Sequence, residues 1–312
     1  MKKIATRDAY GQTLAQLGEE NKDIVVLDAD LAKSTKTIDF AKKHSDRFFD
    51  MGIAEQNLMG TAAGLAAAGK IPFASTFAMF ATGRAFEQIR NTIAYPKLPV
   101  TVAATHAGIS VGEDGASHQT VEDISIMRSI PNMTVVVPAD AIETAAAVRW
   151  AAAHNGPVYL RLGRLAVPVI FEDHYEFTWG KAVTMQEGSD ITIIATGLMV
   201  AQALEAAKAL QEQGIGAEVL NLHTIKPIDA EAIVASVGKT GAVVTAEEHS
   251  IIGGLGSAVA EVLAEKYPAP LERVGLQDTF GESGTPAALL EKYGLTAKKI
   301  VEAAQKALVR KQ

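Results

Sequence analysis

Short apolar runs, each closed off by glycine, proline or acidic residues, recur along this chain and alternate with longer stretches of helical periodicity. That alternation commits the chain to strands joined by helical crossovers, because parallel neighbours need a long connection between them. Residues 24–27, 100–104, 134–137 and 158–162 read as strands buried on both faces, being largely apolar rather than apolar at every second position. Residues 57–68 and 141–153 read as helices. The expected fold class is α/β, with two α/β domains and mainly parallel sheets, since 312 residues that are 48% hydrophobic suffice to fill two cores.

Between 169 and 190 the pattern breaks. Phe171-Glu172-Asp173-His174-Tyr175 and Gln186-Glu187-Gly188-Ser189-Asp190 are polar, turn-forming stretches that read as a crossing linker, so a division at 187/188 separates residues 1–187 from residues 188–312. The second part repeats the alternation: strand 191–195, helix 200–213, a cap and turn at 214–216, and strand 218–222. Strands 242–246 and 273–276 and helices 255–267 and 296–308 follow. The Lys226-Pro227 step comes just after a strand and shapes a tight loop.

Composition excludes several classes of function. Without cysteine there is no disulfide, no thiolate metal site and no thiol nucleophile, which fits a reducing compartment and makes the cytoplasm the expected location. The amino terminus has lysines but no sustained apolar core behind them, and no apolar run reaches a membrane-spanning length, so no secretory signal and no membrane partner are expected. A net charge of -7 with scattered Lys and Arg offers no basic tract for a nucleic acid, although a few cations in a cleft suffice for a small anion.

Three stretches carry candidate chemistry. In Phe49-Asp50-Met51-Gly52-Ile53-Ala54-Glu55-Gln56-Asn57, Glu55 opens a helix directly after a glycine-containing turn, where the helix dipole alone favours an acid. Pro72-Phe73-Ala74-Ser75-Thr76-Phe77-Ala78-Met79-Phe80 holds two aromatic rings three residues apart, a spacing that by itself more often marks a packed core than a cofactor platform. His106-Ala107-Gly108-Ile109-Ser110-Val111-Gly112-Glu113-Asp114-Gly115-Ala116-Ser117-His118-Gln119 sets two histidines around a pair of acids in a glycine-rich loop, which by itself is a flexible connection. Polar residues stand elsewhere too: Arg7 at the start of the first helix, Ser34 in Asp30-Leu31-Ala32-Lys33-Ser34, and Arg164 in Leu160-Arg161-Leu162-Gly163-Arg164. His106 and His118 as a metal pair lack a third ligand nearby, so no metal site is assigned. The glycine-rich run Glu247-Glu248-His249-Ser250-Ile251-Ile252-Gly253-Gly254-Leu255-Gly256 looks like a phosphate loop, but the acids beside it argue for packing instead.

In this order the stretches resemble the transketolase family over essentially the whole chain, as a pyrimidine-binding domain followed by a carboxy-terminal domain. Residues 106–119 are the most specific element, shared more loosely by deoxyxylulose phosphate synthases, whereas Gly52-Ile53-Ala54-Glu55-Gln56 recurs among several thiamine diphosphate enzymes. The resemblance implies thiamine diphosphate, bound here by its pyrimidine side. Glu55 would hydrogen-bond a pyrimidine nitrogen and drive the ring to its imino form, Phe77 and Phe80 would pack on the ring, and Asp30 and Leu31 would also meet the cofactor. Sugar phosphate substrates are implied as well, with Arg7, Ser34, His106 and Arg164 at the phosphate and Asp114 and His118 at the donor hydroxyls. The implied catalytic residues are Glu55, His118 and His106, His118 holding a substrate oxygen and helping to move protons as the carbon-carbon bond breaks. Gly83 departs from the pattern, since some transketolases place a tyrosine there.

Full-length members carry a preceding domain whose Gly-Asp-Gly and later Asn bind magnesium and the cofactor's diphosphate. No Gly-Asp-Gly occurs in this sequence. The expectation is a transketolase C-terminal subunit that transfers a two-carbon ketol unit between a ketose phosphate and an aldose phosphate only with an N-terminal partner subunit. That subunit would supply the diphosphate-binding domain and hold Mg2+ or Ca2+. Two copies of each chain would close a heterotetramer with cofactor sites between chains. Two alternatives stay open: half of another thiamine diphosphate enzyme, either deoxyxylulose phosphate synthase-like or a 2-oxoacid dehydrogenase beta subunit, and a non-catalytic paralogue.

Overall fold

Ile24–Asp28 and Thr101–Thr105 are buried at every position, and each is hydrogen-bonded to a neighbour on both sides. They belong to a seven-stranded sheet in the order Thr224–Lys226, Thr134–Val136, Val158–Arg161, Thr101–Thr105, Ile71–Phe77, Ile24–Asp28, Phe48–Asp50. All pairs are parallel except the Thr224–Lys226 edge. A second sheet runs Leu271–Leu276, Val243–Ser250, Ile191–Ala195, Ala217–Asn221, Val183–Gln186, again parallel but for its last member. The structure is a computed structural model and describes residues 2–311; among them no helix is long and apolar enough to cross a membrane. The α/β class with mainly parallel sheets is as the alternating pattern requires.

Two strands lie on the opposite sheet from the one that a division at 187/188 assigns them. Val183–Gln186 pairs with Ala217–Asn221 in the second sheet, and Thr224–Lys226 crosses back to pair with Thr134–Val136 in the first. The Lys226-Pro227 bond, which is cis, follows that crossing strand. One apolar cluster accordingly runs through both layers, from Leu58, Met59 and Ile89 to Leu220, Leu222 and Val243.

The strand Ile71–Phe77 has no counterpart in the sequence reading, because Pro72, Ser75 and Thr76 interrupt its apolar run. The fold buries those polar side chains: Ser75 Oγ lies 2.7 Å from the Tyr10 hydroxyl, and both residues are inaccessible. Beyond this strand the chain forms two wide turns of π-helical type, Phe80–Arg84 and Gln88–Ala94, a geometry that recurs at functional sites.

Every candidate stretch emerges at the carboxyl ends of the first sheet. Asp30 follows Ile24–Asp28, Glu55 follows Phe48–Asp50, Phe77 ends its own strand, His106 follows Thr101–Thr105 and Arg164 follows Val158–Arg161. In open parallel sheets this edge is where ligands bind. Asp30 and His106 leave their strands in left-handed conformation, at φ 61° and 58°, a strained geometry for non-glycine residues that concentrates at functional sites.

Candidate active site

Asp28 is the anchor of the first turn. Its fully buried carboxylate accepts from the Leu31 amide at 2.6 Å and from the hydroxyls of Thr35 and Thr37 at 2.6 and 2.8 Å. Even so, burial pushes its pKa up to about 6. The sequence reading passed over Asp28, although an acid closing an apolar strand at a sheet's carboxyl edge is a legible signal. A neighbouring carboxylate does similar work: Asp50 Oδ1 accepts from the Asp30 amide at 3.0 Å and the Gly52 amide at 2.9 Å, tying that turn to the approach to Glu55.

From Arg7 a continuous line of contacts crosses the site. Arg7 Nη1 donates to the Ser34 carbonyl at 2.9 Å and to His106 Nε2 at 3.0 Å. A guanidinium only donates, so His106 carries its proton on Nδ1 and donates it to Thr105 Oγ1 at 2.9 Å. Burial foremost, then the charges of Arg7 and Arg164, lower the His106 pKa to about 3, and the ring is neutral at physiological pH. It stacks on Phe77 with centroids 3.8 Å apart, and Phe77 stacks in turn on Phe80 at 5.8 Å. His118 presents its edge to both rings, at 6.3 Å from Phe77 and 5.3 Å from Phe80.

Arg84, unremarked in the sequence, completes the line. Its guanidinium carbon sits 4.1 Å from the Phe80 centroid, and its Nη1 donates to Glu55 Oε1 at 3.1 Å. Glu55 is 5% exposed at the first position of the Glu55–Ala67 helix, and among the described residues Arg84 is its one side-chain hydrogen-bond partner. At Gly83, just before it, a Cβ would meet only the movable Met79 methyl, at 2.8 Å.

The remaining candidates are less closely joined. Arg164 Nη1 pairs with Glu113 at 2.9 Å and bonds the Val111 carbonyl, so its charge is partly engaged by an acid beside Asp114. Asp114 itself is exposed and makes no hydrogen bond among the described residues. Ser34 meets Arg7 through its carbonyl, not its hydroxyl, and Leu31 contributes its amide to Asp28. His118 is half-buried, its Nδ1 3.0 Å from Ser117 Oγ.

The 247–256 run has a definite structural use. Glu247 accepts from the Leu255 and Gly256 amides at 2.6 and 2.8 Å, filling the helix N-terminus that a phosphate would need. Among the described residues no group of three or more His, Cys, Asp or Glu is arranged to hold a metal.

A ligand with a flat ring and a nitrogen to meet a carboxyl fits this rim: Glu55 lies in an open depression with Ile53, Ala54, Gln56, Asn57 and Arg84, and two stacked phenyl rings adjoin it through Arg84. Comparison with known proteins agrees at the level of family. Residues 2–169 match the family model for the transketolase pyrimidine binding domain, and residues 180–300 that for the transketolase C-terminal domain. The chain therefore belongs to the transketolase family, which implies thiamine diphosphate as cofactor.

Its similarity extends over nearly the whole of several smaller relatives. The chain is 53% identical over 307 residues to a putative transketolase C-terminal section of Methanocaldococcus jannaschii, covering 96% of each. It is 50% identical over 305 residues to a 6-deoxy-6-sulfo-D-fructose transketolase subunit of a Clostridium species, covering 98% of this chain and 95% of that one. Among solved structures, a split gene transketolase described as an inactive beta4 tetramer superposes with a TM-score of 0.93 at 63% identity, covering 99% of this chain and all of the other.

Proposed function

We propose that this chain is the C-terminal subunit of a split transketolase, moving a two-carbon ketol unit from a ketose phosphate to an aldose phosphate. The observation that carries the proposal is the unbroken run of contacts from Arg7 through His106, Phe77, Phe80 and Arg84 to Glu55, which sets an anion-binding cation at one end and a buried carboxyl at the other. An N-terminal partner subunit holds the diphosphate and a Mg2+ or Ca2+ ion, in a cytoplasmic assembly of two copies of each. The inactive state ascribed to the beta4 relative is in keeping with that need.

Thiamine diphosphate, when bound, would supply a carbon nucleophile, formed by loss of a ring proton, and an electron sink for breaking and re-forming the bond beside a carbonyl. Glu55 would hold or release a proton at a ring nitrogen of the pyrimidine, with Arg84 bonded to one oxygen of that carboxyl, Oε1. Phe77 and Phe80 would form an apolar wall beside the ring, with Asp30 and Leu31 turning the backbone toward the same rim. Because both ring nitrogens of His106 are bonded inside the chain, its role is to orient Arg7 toward the substrate's anionic end. Arg7 brings a further buried donor, Nε, that has no partner among the described residues. Arg164 joins it at the phosphate by exchanging Glu113, Ser34 lines the same turn, and Asp114 and His118 face the donor hydroxyls.

The test mixes the chain with its candidate partner, thiamine diphosphate and magnesium, and compares xylulose phosphate plus ribose phosphate with pyruvate as donor. Ketol transfer supports the proposal, and turnover of pyruvate alone rejects it in favour of another thiamine diphosphate lyase or ligase. The sulfonated sugar named for the Clostridium relative gives a second donor arm, because the same cations would hold a sulfonate.

A further inference from the structure

The loop that carries Asp114 and His118 is gripped from outside its own domain. On one side stands Glu248, from the second-sheet strand Val243–Ser250, which is 4% exposed and whose Oε1 accepts from the Ser110 amide at 2.6 Å. Its carboxyl lies so close to Gly108, at φ 82°, that a Cβ there would fall 2.2 Å from Glu248 Cδ. The Glu248 carbonyl is held by Arg161 at 2.9 Å, and Arg161 is bound through Nε and Nη2 to Asp123, so the grip has a rigid base.

On the other side stands the segment 281–286. Gln119 Nε2 donates to the Glu282 carbonyl and to the Gly112 carbonyl, both at 2.9 Å, and Ser283 Oγ donates to the Glu113 carbonyl at 2.7 Å. A Cβ at Gly112 would touch the Pro286 ring at 3.1 Å. Ile109 and Val121, near the two ends of the loop, are packed into the apolar cluster of the second sheet with Ile193, Val244 and Leu276. Thus the segment 108–119 departs from the first sheet but takes its shape from the second domain.

We propose that the second domain serves the reaction by fixing this substrate loop, with Glu248 as a positioning residue that sets where Asp114 and His118 meet the sugar. The inference rests on the transketolase reading of those two residues. Glu248→Ala removes the acceptor for Ser110 and leaves a gap against Gly108; Glu248→Gln keeps an oxygen in the same place.

The experiment has two arms. In the free chain, hydrogen exchange of the amides in 108–119 should quicken in Glu248→Ala, most at Ser110, and return close to wild type in Glu248→Gln; unchanged exchange overturns the grip itself. In the assembled enzyme, Glu248→Ala should lower kcat/KM for the ketose donor by about tenfold to a hundredfold, the scale of a misplacement near 1 Å. Thiamine diphosphate affinity should change less than about twofold, and Glu248→Gln should restore most of the loss. Equal losses in cofactor affinity and kcat/KM, or an undiminished kcat/KM, overturn the positioning role. Should Glu248→Ala not fold, Ser283→Ala at the exposed side of the loop provides the same pair of readouts. A wild-type assembly with no ketol transfer at all refutes the transketolase reading and with it the link to catalysis, while the exchange result still decides the grip.

Discussion

The carboxyl ends of the two sheets are built alike and used differently. Those of the first sheet carry Asp30, Glu55, Phe77, His106 and Arg164 around an open rim, where Arg84 and Asp114 remain exposed. The second sheet's strand Val243–Ser250 carries Glu247, Glu248 and His249 just before its last residue, as polar as anything opposite, yet all three are buried. Glu247 caps a helix, Glu248 holds Ser110, and His249 lies between the Ser250 carbonyl and the Ser125 amide. The difference is cover: where the domains close over a sheet edge, its charged side chains are buried and engaged by the protein, whereas at the open edge Arg84 and Asp114 stay exposed beside groups a ligand can reach. Glu143 shows the same use on the covered side, accepting from the Ala139 amide, Tyr175 and Asn221 of the second sheet.

The sharpest break between the two edges comes from Glu55→Ala. Ketol transfer by the assembled enzyme should fall by at least about 10²- to 10⁴-fold with the thermal midpoint nearly kept, and near-normal turnover would remove Glu55 from the mechanism. Next is Arg161→Ala on the covered side, which strands Asp123 as a buried unpaired carboxylate; here burial acts to raise the acid's pKa and Arg161 outweighs it, leaving it below the usual range. The expected loss is about 3–5 kcal/mol in denaturant unfolding, and a loss under about 1 kcal/mol would show that the pairing contributes little.

Arg164→Ala lies between the two edges in character, since its guanidinium is already shared with Glu113. It should cost about tenfold in kcat/KM for phosphorylated sugars and much less for unphosphorylated analogues; an equal loss for both contradicts a phosphate role. The smallest effect concerns pH. Burial raises the Glu248 pKa from 4.5 to about 7, so the folded chain holds this proton more tightly than the unfolded one. The stability gained is full below the unfolded value and lost as pH rises through about 7, and Glu248→Gln should therefore lose less stability than wild type between about pH 5 and about pH 8. Asp28 and Glu143, raised to about 6 and about 7, keep part of the slope in the variant, and parallel curves for the two proteins would count against the buried-acid account.

Much of the frame was legible from the residues in order. Strand 191–195 matches its observed bounds, and the helices read at 141–153 and 255–267 hold to within a residue, because apolar period and turn residues act locally. The helix Ala230–Thr240 escaped notice although Asp229 caps it by accepting from the Ala232 amide, a signal present in the sequence. At the rim, the motifs singled out Glu55, Phe77, Phe80, His106 and His118, and the structure gathers these around one edge. Arg84 was missed because it belongs to no periodic pattern and matters through Glu55, a partner that the fold brings near; Asp28, whose partners Leu31, Thr35 and Thr37 are close in sequence, was missed despite a legible signal at the end of its strand.

By itself, then, the sequence determined most of the buried strands and long helices, that mainly parallel sheets would form, and which short runs would carry chemistry, since each depends on residues a few positions apart; strand Ile71–Phe77, with its polar positions, needed the fold to bury it. Tertiary structure alone decided the exchange of Val183–Gln186 and Thr224–Lys226 between sheets, the pairing of Arg84 with Glu55 across 29 positions, and the hold of Glu248 on Ser110 across 138. Those contacts join positions too far apart to leave a local pattern, and they exist only once the chain has folded and brought the distant segments together.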